Sequence, residues 1–164
     1  MLSFEYMDKT RADELLPRLF SLLYENMNEI APSGLSEAEE LPEWLEAVGL
    51  AMQKEPRKIV LINDGGALIG YFQYYINDTT FMMEEIQFKR AYHGSGLFNA
   101  LYSFLYETIK AFPESVEAYS HKDNLKSQGI LEHLGLERIG ENKNGGCFHY
   151  RGSCETMWKK LGLR

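Results

Sequence analysis

Two cysteines in 164 residues exclude a scaffold stapled by disulfides. Cys147 and Cys154 fit a reducing compartment, and their spacing alone does not say whether they pair. Long apolar runs are missing as well. The longest, such as residues 58–62, fall far short of the ~20 residues that span a bilayer, so no membrane partner is expected. Nor does Met1-Leu2-Ser3-Phe4-Glu5-Tyr6-Met7-Asp8 carry a basic segment followed by an apolar one. The expectation is a cytoplasmic protein without a secretory leader. Positive charge is in deficit, with 17 Lys plus Arg against 24 Asp plus Glu and a formal charge of −7. That balance opposes binding to a phosphate backbone, so no nucleic-acid partner is expected. Repeats, low-complexity tracts and Pro-, Gly- or Ser-rich linkers are absent, and the composition is not that of collagen, a coiled coil or a disordered chain.

What is present is one domain's worth of sequence, residues 1–164, with enough apolar residues (45%) to bury a core unaided. Leu2-Ser3-Phe4-Glu5-Tyr6 alternates as a half-buried strand does. Residues 11–30 place Leu15, Leu19, Leu22, Leu23 and Met27 on one helical face. Ala31-Pro32-Ser33-Gly34 breaks that helix, and a second runs from Ser36 through Leu41, Leu45 and Val48. Residues 57–63 form a short buried strand, Asp64-Gly65-Gly66 a hairpin turn, and residues 67–76 the returning strand. Asn77-Asp78 turns the chain into a further strand over 79–88. After this meander, Leu97, Ala100, Leu101, Phe104, Leu105, Ile109 and Phe112 predict a helix over 96–112 that Pro113 ends. A strand over 116–120, a helix capped by Asp123 or Asn124 and stopped by Gly135, a strand from Leu136 and a last strand within 148–160 complete the chain. The order predicts a mixed sheet with helices on both faces.

The chemistry is concentrated in Tyr92-His93-Gly94-Ser95-Gly96-Leu97, between a strand and the start of a long helix. Glycine allows a tight turn and close approach of a ligand. The first N–H groups of a helix lack internal partners, and its dipole favours an anion there. No Gly-Lys-Ser/Thr follows, so the loop is not a P-loop, and the third glycine and early strand of a dinucleotide fingerprint are missing.

In this context the segment resembles the GNAT acetyltransferase superfamily, whose Arg/Gln-x-x-Gly-x-Gly/Ala loop follows the fourth strand. A second block is similar to the family's Asn-x-x-Ala-x-x-x-Tyr-x-x-x-Gly-Phe, read here as Asn124, Ser127, Leu131, Gly135 and Leu136. Met157-Trp158-Lys159-Lys160-Leu161 is similar to its closing strand. The resemblance implies an α/β fold with a mixed, mostly antiparallel twisted sheet flanked by helices on both faces. It also implies transfer of an acetyl group from acetyl-CoA to a primary amine of a small molecule or peptide, without a metal. By the same resemblance, His93, Gly94, Ser95, Gly96, Leu97 and Phe98 hold the CoA pyrophosphate through backbone N–H groups. Main-chain groups near Ile86, Gln87 and Phe88 pair with pantetheine and polarise the thioester carbonyl, and Asn124 and Ser127 meet the pantetheine arm. Three residues depart from the pattern. His93 replaces Arg or Gln, Phe98 replaces a small residue and narrows the cofactor channel, and Leu131 replaces the tyrosine credited with protonating the leaving thiolate.

A general base beside the thioester points to Glu84 and Glu85, which project to opposite sides of their strand. If the even-numbered side is core, Glu84 is the carboxylate on an apolar face. The family's habit of placing its glutamate on the solvated side favours Glu85. His121 follows the fifth strand and is a candidate acid or base; the other reading is a loop histidine before a helix cap. Tyr71 and Tyr119 are candidate acids or buried sheet residues, and His133 is a surface residue. Cys147-x-His149 with Cys154 matches no common zinc spacing. The aromatic run Tyr71-Phe72-x-Tyr74-Tyr75, with Phe81 on the next strand, is apolar on both faces; core alone is the first reading, and the other is core on one face with a substrate wall or homodimer contact on the second. A binding module that holds acyl-CoA or a protein partner without turnover is the rival reading.

Overall fold

In a computed structural model of the protein, residues 1–54 and 56–163 are described. The elements are β1 (Leu2–Tyr6), α1 (Ala12–Ile30), α2 (Glu37–Lys54), β2 (Lys58–Asp64), β3 (Ala67–Ile76), β4 (Thr80–Phe88), α3 (Leu97–Thr108), β5 (Ser115–His121), α4 (Leu125–His133), β6 (Glu137–Glu141), β7 (Cys147–Ser153) and α5 (Cys154–Lys160). Seven strands form one sheet in the order β1-β2-β3-β4-β5-β7-β6. The β4–β5 pair is parallel, and the β1–β2, β5–β7 and β6–β7 pairs are antiparallel. The chain divides into two compact units, Met1–Gln73 with Glu85–Ser95, and Tyr74–Glu84 with Gly96 onward. The boundaries fall inside β3 and β4, where no linker or change of composition marks them.

In the first unit, β2 and β3 are joined by Gly65 and Gly66 at φ +58° and +86°, the left-handed pair that a two-residue hairpin turn requires. Leu15, Leu16, Leu19 and Leu22 of α1 pack with Val48 of α2 and with Ile59, Leu61, Leu68 and Tyr71 of the strands. The adjacent residues Tyr71 and Phe72 are both buried, so β3 is covered on both faces. Tyr71, Phe72 and Tyr74 are therefore core, the first of the two readings, and Tyr75 is half-buried.

In the second unit, Phe81, Leu97, Leu101, Leu105, Val116, Leu134, Tyr150 and Met157 are almost fully buried. Two expectations are corrected. α3 stops at Thr108, because Ile109 is extended (φ −86°, ψ 116°). Phe112 reaches the core from the loop instead, with its ring 4.8 Å from Trp158 and 5.8 Å from Phe81. The tail is β7 followed by α5, so Met157, Trp158 and Leu161 do not form a closing strand. The Ser153 side chain accepts from the Thr156 N–H to start α5, and Cys154, Met157 and Trp158 recur at offsets of 3 and 4, one buried helical face. Neither cysteine is in a disulfide. The Cys154 Sγ donates to the Ser115 carbonyl at 3.4 Å, and burial pushes its thiol up to about 11.

Candidate active site

Strand β4 ends in the first unit at Glu85, Ile86, Gln87 and Phe88, all half-buried. Strand alternation puts Glu85 and Gln87 on one side, and the Gln87 Nε2 donates to the Glu85 Oε1 at 2.6 Å. Asn26, on the second half of α1, donates through Nδ2 to the Gln87 Oε1 at 2.8 Å and to the Phe88 carbonyl at 2.9 Å. A chain of side chains thus runs from α1 through Gln87 to Glu85. The Tyr71 hydroxyl is buried and has no hydrogen-bond partner among the described residues. Burial, and then the negative charge of Glu85, hold its proton well beyond the ordinary phenol range. Tyr71 is therefore a core residue kept neutral. Within β4 the buried residues are Thr80 on the even-numbered side and Phe81 and Met83 on the odd-numbered side, to which alternation also assigns Glu85. The Glu84 Oε1 is itself buried, so both sides of β4 carry buried atoms.

The segment after β4 is tied down at several points. Arg90 pairs with Glu29, one turn beyond Asn26 on α1. The Tyr92 hydroxyl donates to the Asp64 Oδ2 at 2.7 Å. The Met1 amino group, and then that hydroxyl, hold the Asp64 carboxyl below the usual carboxylate range. His93 turns its ring back, with Nε2 3.2 Å from the Phe88 carbonyl. That carbonyl already has two donors, so Phe88 does not offer it to a ligand. The Ser95 Oγ and N–H both donate to the Tyr92 carbonyl. Gly94 has φ +77°, and a Cβ added there would meet nothing within 4 Å. Its glycine is required by conformation and faces open space.

In the second unit, Gly96 is the N-cap of α3 at φ +83°, again with open space where a Cβ would stand, and no side chain caps the helix. The first N–H groups of α3 therefore lack an intrahelical partner at the positive end of its dipole, the arrangement a pyrophosphate fits. Leu97 is buried, and the Phe98 ring packs 4.6 Å from Tyr102. Asn124 caps α4, its Oδ1 accepting from the Ser127 N–H at 3.0 Å. Leu131 is buried, so an aliphatic side chain occupies the position of the expected acid. The Nδ1 of His121 accepts from the Asp123 N–H at 3.1 Å, the bonding of a turn histidine. Gln128, which sequence reasoning passed over, is buried and donates to the His121 and Lys122 carbonyls, fixing that turn. Tyr119 is exposed and stacks on His149 at 4.4 Å, so it is not a buried sheet residue. His149 in turn donates from Nε2 to the Glu117 Oε1 at 2.6 Å. Among the described residues, no group of three or more His, Cys, Asp or Glu is placed to hold a metal ion.

The strand order, the parallel β4–β5 pair and the glycine-entered helix after the fourth strand define the GNAT acetyltransferase fold. No family model matches the chain, and no curated protein matches its sequence. Among solved structures it is similar to an acetyltransferase from Thermus thermophilus, at a TM-score of 0.70 and 15% identity over 93% of this chain and 97% of that one. It is also similar to an aminoglycoside acetyltransferase crystallised with coenzyme A, at 0.65 and 16% over 97% and 98%. A third is spermidine N-acetyltransferase from Vibrio cholerae with CoA and spermine, at 0.63 and 15% over 95% and 97%. Among the described residues, no helix is long and apolar enough to cross a membrane.

Proposed function

We propose that the chain is an acetyl-CoA-dependent N-acetyltransferase, one functional domain acting on a primary amine of a small molecule or peptide. The observation that carries this reading is the uncapped start of α3, entered through Gly94 and Gly96 at positive φ with open space beside both. Those N–H groups are preorganised for a pyrophosphate. When bound, acetyl-CoA supplies the acetyl group as a thioester. In the first unit, main-chain groups of residues 86–88 orient the arm and polarise the carbonyl, and Glu85 takes the proton that the acceptor amine releases. Gln87 and Asn26 hold that carboxylate in one orientation, which supports Glu85 over Glu84 as the base. In the second unit, Asn124 and Ser127 meet the pantetheine arm. Leu131 cannot donate a proton, so the thiolate leaves without an acid from that position. The solved aminoglycoside and spermidine acetyltransferases, crystallised with coenzyme A, favour an amine as acceptor.

Calorimetric titration with acetyl-CoA and with free CoA tests this. Micromolar binding, about −8 kcal/mol, with loss of affinity in a folded Gly96→Val variant, is the expected result, followed by thiol release when an accepted amine is added. Absence of binding at millimolar CoA overturns the reading.

A further inference from the structure

A cavity of about 420 Å3 lies between α1, α2 and the loop joining them, wholly within the first unit. Its volume falls in the ~300–1,000 Å3 range of small-molecule sites. Three aromatic side chains line it. Phe20 sits with its ring 6.2 Å from Tyr24 and 5.2 Å from Trp44, and the Tyr24 hydroxyl donates to the Leu35 carbonyl at 2.6 Å. That bond fixes the Tyr24 ring and pins the α1–α2 loop over the pocket. Met27 adds apolar surface, and Glu40 and Glu43 supply two carboxylates. Glu37, one turn earlier on α2, accepts from the Ser21 hydroxyl at 2.7 Å. Glu40 is half-buried and Glu43 exposed, and neither has a basic partner among the described residues.

A neutral or anionic guest would strip water from the half-buried Glu40 without compensation, and an anion would also meet the charge of Glu43. A cation reverses that balance, since carboxylates and the faces of aromatic rings both attract it. We infer that this pocket seats an organic cation, an aryl- or alkylammonium whose apolar body rests on Phe20, Met27 and Trp44 and whose charge is met by Glu40 and Glu43. The identification of this cation as the acetyl acceptor rests on the acetyltransferase reading; the binding itself does not.

The probe is 2-phenylethylamine, titrated into the full chain and followed by the indole N–H resonances of its two tryptophans. The amine is expected to shift the Trp44 resonance and leave that of Trp158 in place. 2-Phenylethanol should bind about tenfold more weakly, phenylacetate not at all, and the Glu40→Gln/Glu43→Gln double variant should lose about tenfold in affinity for the amine. Equal binding of the alcohol, an unchanged affinity in the double variant, a shift confined to Trp158, or no binding overturns the inference. Acetyl-CoA is titrated into the same samples. Acetyl-CoA binding without amine binding defeats this pocket and leaves the proposed function standing. Amine binding without acetyl-CoA binding keeps the cation site and defeats the transferase.

Discussion

Glu85 and Glu84 differ by one step along a strand, and that step decides which carboxylate has Gln87 and Asn26 behind it. Glu85→Gln is expected to lower kcat about 10²- to 10⁴-fold and to flatten the acid limb of the pH–rate profile, with acetyl-CoA affinity kept in calorimetry. Glu84→Gln should leave that limb in place. Asn26→Ala removes both donors from α1, and its effect belongs on kcat and the pH profile more than on cofactor affinity. Asp64 carries a pH dependence of its own. Its carboxyl titrates lower in the native chain than in the unfolded one, because the Met1 amino group and then Tyr92 bond its charged form. Its contribution to stability is therefore present above the unfolded value and lost as pH falls through the native one. In acid titrations followed by circular dichroism, Asp64→Asn should depend less on pH below about 4 than the parent does. The sequence singled out Glu84 and Glu85 as the pair, since alternation is a local property. It did not reveal Asn26, because an asparagine on a helix looks the same whether it faces water or a partner 61 positions away.

At the scale of elements, punctuation was legible and replacement was not. Gly65-Gly66, Asn124 and Gly135 act as turn, cap and stop, because each answers a backbone requirement carried by its own type. The start of α5 was missed although Ser153 caps it as Asn124 caps α4. The apolar offsets among Cys154, Met157 and Trp158 span barely one turn, too short for periodicity to separate helix from strand. The end of α3 was overrun because Phe112 sits at a helical offset and packs its ring on Trp158 and Phe81, yet it arrives from an extended segment. Gly135 at φ +92° would place a Cβ 2.8 Å from the Thr156 Cγ2. Gly135→Ala is expected to cost at least about 1–2 kcal/mol, and Ser153→Ala about 1 kcal/mol, both read as a lowered urea midpoint with an unchanged slope.

For the whole molecule, element order and one glycine loop were enough to reach the fold, although the matched structures share only about 15% of their residues with it. The α1–α2 pocket was not legible, because it is assembled from ordinary helix-face residues with no motif among them. Net charge acts at this scale too. At −7, the protein should draw a cationic acceptor by steering, so raising ionic strength from about 0.01 to 0.15 M is expected to raise KM for the amine and leave kcat unchanged. The division into two units bears on how the gene could be cut. Since 85–95 returns to the first unit after 74–84 has joined the second, neither unit is a continuous stretch of chain. No single truncation isolates one of them, and a chimera that swaps the front half of this gene for a homologue's severs both at once. Recombination within this fold must exchange spliced segments or the whole reading frame.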